Sequence, residues 1–196
     1  MFDLGVVIID IDNLRAFEQI VKAGAKPSAT LFSRENAHCI AYETGKISAQ
    51  DFLKATQQSL ENSLDLAHIE SAWRSVIVDI PEWKINFLKQ LKKQYRLIVL
   101  SNTNDLHVDE IEKIYSQKNS GKFTDLFDEV YFSHEVGYFK PQPEIYEAVL
   151  AAEKIPAPEI LFFDDLEANI DAAHAQGFQT FHVTSDEGLK RKLMEL

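Results

Sequence analysis

Two adjacent carboxylates, Asp164 and Asp165, follow directly on the apolar run Ile160-Leu161-Phe162-Phe163 and precede a helical pattern that carries Asn169. An unbroken apolar run of this length reads as a strand buried on both faces. In parallel α/β sheets, ligands gather at the carboxyl ends of the strands. Neighbouring carboxylates repel one another, so a pair at such a place calls for a cation or a shared proton. The plain alternative is that one of them caps the following helix. Other strand ends carry polar groups of different kinds: Asp3 after the first apolar residues, Ser101 and Asn102 after Leu97–Leu100, and Lys140 in the loop Gly137-Tyr138-Phe139-Lys140-Pro141. Singly, each has a bland reading: a terminal acid, a helix cap, a solvated lysine. Together, a carboxylate nucleophile, a hydroxyl, an ammonium and a metal-binding acid pair suit phosphoryl transfer through an aspartyl-phosphate. The ammonium and the metal would offset charge on the phosphoryl oxygens.

Positioning four such groups requires a sheet. From Pro81 onward, short apolar runs alternate with helical periodicity: strands at 96–100, 129–132, 160–163 and 180–183, and helices opened by Pro81, Asp105 and Pro143. Strands separated by helices give a parallel sheet with right-handed crossovers. Residues 1–12 read as extended. Between Leu14 and Ile80 the pattern is helical throughout, with Leu14, Phe17 and Val21 on one face, a capping box at Ser48–Asp51, and Ile69, Trp73 and Ile77 on a further helix. The expectation is an α/β core with an inserted helical unit, whose aromatics Phe17, Phe32, Phe52 and Trp73 form its packing core.

The net charge of −11, with no basic run to offset it, argues against nucleic-acid binding. Cys39 is the only cysteine, which fits a reducing cytoplasm. The apolar run Val6–Ile9 is short and flanked by acids, unlike a signal peptide or a membrane span.

The order and wording of these segments resemble the haloacid dehalogenase superfamily of hydrolases. Phe2-Asp3-Leu4-Gly5-Val6-Val7 looks like its first motif, Leu100-Ser101-Asn102-Thr103-Asn104 its second, Lys140-Pro141 its third, and Phe163-Asp164-Asp165 with Asn169 its fourth. The chain is most similar to small bacterial sugar-phosphate phosphatases of that superfamily, glucose-1-phosphate phosphatases among them. It shares Asp10-Ile11-Asp12, Glu43-x-Gly45-x-Ile47-Ser48, and Ser101–Asn104 with Leu106-His107. The resemblance implies a Rossmann-like parallel core over 1–13 and 81–196 with an α-helical cap over 14–80. It implies Asp3 as nucleophile, Ser101 and Asn102 at the phosphoryl group, and Lys140 offsetting charge. Mg²⁺ would be held by Asp3, the Gly5 carbonyl and Asp165, with Asp164 and Asn169 supporting the metal shell. The implied reaction is hydrolysis of a small phosphorylated metabolite such as a sugar phosphate.

Two departures stand out. Gly5 occupies the place where most phosphatases of the superfamily carry a second Asp as acid and base, a gap the sugar-phosphate subgroup shares. Only Met1 and Phe2 precede Asp3, so its strand is either shortened or begins before this chain, and a shortened strand would leave its neighbours with unpaired backbone groups. A rival register makes Leu4–Ile9 the strand, Asp10 the nucleophile and Asp12 the general acid, but Asn13-Leu14 then replaces the usual Gly-Thr and leaves little chain to reach the cap. Two other functions compete. A catalytically weak binding or regulatory protein on this scaffold draws support from Gly5 and the short start. A haloacid dehalogenase needs no metal and has neutral residues where Asp165 stands.

Overall fold

The computed structural model describes residues 1–33 and 36–196; Arg34 and Glu35, within the expected helical unit, lie outside the described residues. After Asp3 the chain makes a tight turn into β1 (Asp10–Ile11), which pairs antiparallel with β2 (Ile77–Asp79). Between these two strands lie α1 (Asn13–Lys22), α2 (Ala37–Glu43), α3 (Ala49–Ser59) and α4 (Leu66–Arg74). The remainder alternates: α5 (Glu82–Leu91), β3 (Ile98–Ser101), α6 (Asp105–Lys118), β4 (Glu129–Phe132), α7 (Ser133–Val136), α8 (Pro143–Glu153), β5 (Leu161–Asp164), α9 (Glu167–Ala175), β6 (Gln179–His182) and α10 (Asp186–Met194). β3 pairs parallel with β4, and β5 with β6. Phe2 bridges Val99 on one side and Phe163 on the other, giving the order β4-β3-(1–3)-β5-β6. The fold is an α/β parallel sheet flanked by helices. No helix among the described residues is long and apolar enough to cross a membrane.

The short central segment is fully paired. Phe2 N–H donates to Ile98 O at 2.8 Å, and Leu100 N–H donates to Phe2 O at 2.9 Å. On the other side Asp3 N–H donates to Phe163 O (2.9 Å), Phe163 N–H to Met1 O (3.0 Å), and the Met1 nitrogen to Leu161 O (2.8 Å). The Phe2 and Phe163 rings stack with centroids 4.7 Å apart. The unpaired groups expected beside a shortened strand are therefore not found here. β3 and β5 are four residues each, so three central residues satisfy the backbone facing them.

Local chemistry sets the element ends. The Asp12 carboxylate accepts from Leu14 N–H (3.0 Å) and caps α1. Ser48 Oγ accepts from Asp51 N–H (3.1 Å) at the expected cap of α3. Asn104 Oδ1 accepts from His107 N–H (3.1 Å) and starts α6 directly after the second motif. Each such cap is worth about 1 kcal/mol.

Two expectations are corrected. Ile77 does not continue the helix of Ile69 and Trp73: α4 stops at Arg74, and Ile77 starts β2. Its partner is Ile11, at the end of the turn that follows Asp3. On α1, Ala16 and Ile20 are buried, while Leu14 and Val21 are exposed. α1 packs on α4, and Ile20 joins Ile69, Ala72 and Trp73 in one apolar cluster.

The α1–α4 segment has its own apolar cluster, built on Tyr42, Phe52, Ile69 and Trp73, with Leu106 of α6 reaching into it. Phe52 lies 4.7 Å from Tyr42 and 4.8 Å from Trp73, ring centre to ring centre. Phe32 packs against this cluster, as expected, and Phe17 is only half-buried. At Gly45 the segment touches the core: its φ is +67°, and a Cβ there would stand 2.1 Å from the His134 carbonyl oxygen. Gly45→Ala therefore combines a left-handed backbone with a backbone clash. It should destabilise the protein by about 2–4 kcal/mol, read as a lower urea midpoint; an unchanged midpoint would mean that the contact is not maintained in solution.

Candidate active site

The sheet register brings the motif residues to one end. Asp3 and Asp164 sit level on adjacent parallel segments, because Phe2 and Phe163, the residues before them, are bridge partners. Lys140 reaches in from the loop before α8. Its Nζ lies 2.8 Å from Asp3 Oδ1, 2.7 Å from Asp164 Oδ2 and 2.8 Å from Leu100 O, with 1% of the side chain exposed. Asn102 holds the Lys140 backbone from both ends: Lys140 N–H donates to Asn102 Oδ1 (2.8 Å), and Asn102 Nδ2 donates to Lys140 O (2.9 Å). Asp164 is fully buried. Its oxygens accept from Leu166 N–H (2.8 Å) and from Asn169 Nδ2 (2.9 and 3.1 Å) as well as from Lys140.

Asp3, Gly5, Ser101, Asn102, Lys140, Asp165 and Asn169 all line one cavity of about 440 Å³. Asp164 lies beneath it. Asp10 and Asp12, the rival register, are not among its lining. Asp10 faces Lys84 at 3.6 Å, and Asp12 is the cap of α1. At Gly5, the place of the missing carboxylate, a Cβ would press against Ile11 Cδ1 of β1 at 3.1 Å.

Charge is out of balance at this end of the sheet. Asp3, Asp164 and Asp165 offer oxygens that lie within 4.8 Å of one another, and among the described residues the one ammonium paired with them is that of Lys140. At an effective dielectric of about 20, two like charges that close cost about 3–4 kcal/mol. Burial raises the Asp3 carboxyl above its ordinary range, opposed by Lys140 and reinforced by Asp164. Burial, then the charges of Asp3 and Asp164, push Asp165 up to about 6. The Asn169 Oδ1 is buried here without a hydrogen-bond partner. Three convergent carboxylate oxygens, excess negative charge and an orphaned acceptor fit a hard divalent cation such as Mg²⁺ that keeps water in its shell.

The far wall comes from residues given no site role by sequence reasoning: Asn13, Phe32, Ser33, Glu43, Trp73 and His107. Trp73 was expected in the packing core and is there; it also faces the cavity. Glu43 stands in the Glu-x-Gly-x-Ile segment shared with the sugar-phosphate phosphatases, which is the one sequence signal that marked it. His107 is not a free base. Its Nδ1 lies 3.2 Å from Asn104 Nδ2, its Nε2 lies 3.0 Å from Trp73 O, and burial lowers its pKa to about 4, leaving it neutral. Trp73 Nε1 donates to Asn104 Oδ1 (3.2 Å) and closes the network.

A family model for haloacid dehalogenase-like hydrolases matches residues 14–177. D-ribitol-5-phosphate phosphatase of Bacteroides thetaiotaomicron is 28% identical over 195 residues, covering 98% of this chain and 95% of that protein. A HAD family enzyme from the same organism, crystallised with magnesium and inorganic phosphate, superposes with a TM-score of 0.87 at 31% identity, over 94% of this chain and 93% of that one. A HAD-like family hydrolase from Porphyromonas gingivalis superposes with a TM-score of 0.86 at 25% identity, over 100% of this chain and 97% of that one.

The raised Asp165 pKa has a sign that can be checked. A carboxyl moved from 3.8 to about 6 favours the folded state below its unfolded value, and that advantage is lost as pH rises through about 6. With metal chelated, Asp165→Asn should melt above the native protein at about pH 7.5 and level with it near about pH 4. Saturating Mg²⁺ should reverse the order at the higher pH, because the native protein alone keeps the third carboxylate. Melting curves that show no pH-dependent gap would remove Asp165 from the strained cluster.

Proposed function

The chain belongs to the haloacid dehalogenase-like hydrolases, and we propose that it is a Mg²⁺-dependent phosphomonoesterase for a small hydroxylated metabolite, with Asp3 as nucleophile. The observation that carries this reading is the meeting of Asp3 with Lys140 and the Asp164–Asp165 pair at one cavity. The family match begins at residue 14, so the role of Asp3 rests on this geometry.

The Asp3 carboxylate would displace the alcohol from phosphorus, leaving an aspartyl-phosphate, and water would then attack phosphorus and free Asp3. Lys140 holds Asp3 Oδ1 in place and places a positive charge where phosphoryl oxygens gather. Ser101, at the end of β3, offers a hydroxyl to the same cavity. Asn102 acts through Lys140, whose backbone it clamps. Asp3, Asp165 and the Gly5 carbonyl would hold Mg²⁺, and Asp164 with Asn169 would support them. When bound, the metal would neutralise phosphate charge and allow the dianion to approach the carboxylates.

The cavity, about 440 Å³, is in the range of small-molecule sites. Its wall mixes polar Asn13, Ser33 and Glu43 with apolar Phe32, Trp73 and Ile77, a lining that suits a polyol or sugar chain. The D-ribitol-5-phosphate phosphatase relative and the magnesium–phosphate complex of a structural neighbour support this reading.

Turnover of a panel of polyol and sugar phosphates, with and without Mg²⁺, tests it. Asp3→Asn should lower kcat by about a thousandfold or more and abolish a trapped aspartyl-phosphate. Asp10→Asn should retain the trapped intermediate. The opposite pattern would move the nucleophile to Asp10, and absence of turnover on the whole panel would favour a binding protein.

A further inference from the structure

Lys84, on α5, is buried to 2% exposure although it lines no part of the cavity. Its Nζ lies 3.0 Å from the Val6 carbonyl oxygen, 3.1 Å from Asp186 and 3.6 Å from Asp10, so α5, α10, β1 and the turn after Asp3 meet on one ammonium. That turn is under strain. Val6, a β-branched residue, has φ +63°, and Val7 N–H folds back onto Gly5 O at 2.6 Å. A three-residue turn closed around a positive φ is the rare, strained form, and a β-branched residue in it persists only where its surroundings hold it.

We propose that Lys84 is a positioning residue for the metal site, acting through the Val6–Val7 peptide on the Gly5 carbonyl. The Val6 carbonyl and the Val7 N–H belong to one rigid peptide plane. Holding the oxygen with Lys84 aims the N–H at Gly5 O, which stays fixed with its second lone pair free toward the cavity. Asp186 and Asp10 supply the counter-charge that lets an ammonium sit at this depth. Asp10 thereby has a role that is not nucleophilic.

The inference rests on the Mg²⁺ reading above, and its test separates the two. In Lys84→Met, without metal, the Val7 amide should exchange about tenfold faster or more, while amides of β3 keep their protection. Mg²⁺ affinity by calorimetry should weaken by about ten- to a hundredfold. Val6→Asn accepts a positive φ at little cost, so adding it to Lys84→Met should restore affinity to within about threefold of the native protein. Native affinity in Lys84→Met, or no recovery in the double variant, would overturn the proposal. Should Lys84→Met fail to fold, the double variant decides: folded with near-native affinity supports it, and unfolded or weak overturns it. If the native protein takes no Mg²⁺, the proposed activity falls, and exchange at Val7 alone decides whether Lys84 holds the turn.

Discussion

An ammonium with 1% of its surface exposed is tolerable only where acceptors surround it, since moving a bare ion inside costs several kcal/mol. Lys140 meets that condition with Asp3, Asp164 and the Leu100 carbonyl, one acceptor from each of three neighbouring segments of the sheet. The same three contacts define the site. They require Asp3 and Asp164 to end adjacent parallel segments at matching heights, and they require the loop before α8 to turn back over β3. Asn102 secures that loop with two hydrogen bonds to the Lys140 backbone. Removing the lysine would leave two carboxylates facing each other without a counter-ion, so the ion pair and the strand order depend on one another.

The central segment shows how little strand such a site needs. Phe2 hydrogen-bonds to β3, Met1 and Asp3 hydrogen-bond to β5, and the Phe2 ring stacks on Phe163. Directly after it the chain leaves the sheet through a turn with a left-handed valine and enters β1. The abrupt exit places Gly5 at the cavity edge and lets Ile11 occupy the space where an acid side chain would otherwise project. The absent carboxylate and the tight turn are thus one structural feature, because the residue after Asp3-Leu4 is pressed against β1.

What could be read in the sequence was whatever is encoded locally. Strands of the core were legible to within two residues, because each is a short, largely apolar run between helical segments. Ser48 announced its helix through cap chemistry, and Pro143 through its fit to a first helical turn. The motif residues Asp3, Ser101, Lys140, Asp164 and Asp165 were legible as a set, and the fold brings them together. β2 was not legible: three residues, Ile77–Asp79, carry no period, and Ile77 happens to continue the spacing of Ile69 and Trp73. The face of α1 that carries Leu14, Phe17 and Val21 was legible, but the buried positions are Ala16 and Ile20, two residues too few to stand out as a period of their own. Lys84 gave no signal, since a lysine in an amphipathic helix reads as solvated. Only the distant Val6, Asp10 and Asp186 make it a buried tie.

The far wall of the cavity is held to the core by several independent contacts around the first turn of α6. Trp73 bonds to Asn104, His107 reaches the Trp73 carbonyl, Arg74 donates to Leu106 O at 2.7 Å, and Tyr42 donates to Asp105. Gly45 abuts α7 on another side. At about 1 kcal/mol net per hydrogen bond, and more where a buried partner is left unsatisfied, lifting the helical segment as one rigid lid would break all of these at once. Asn104 is also the cap of α6, and Ser101 lies three residues before it. The helix that follows Ser101 is therefore the same element that holds the wall. The neutral buried network of Trp73 on α4 with Asn104 and His107 at the start of α6 ties that wall to the end of β3 without adding charge to a site that already carries an excess.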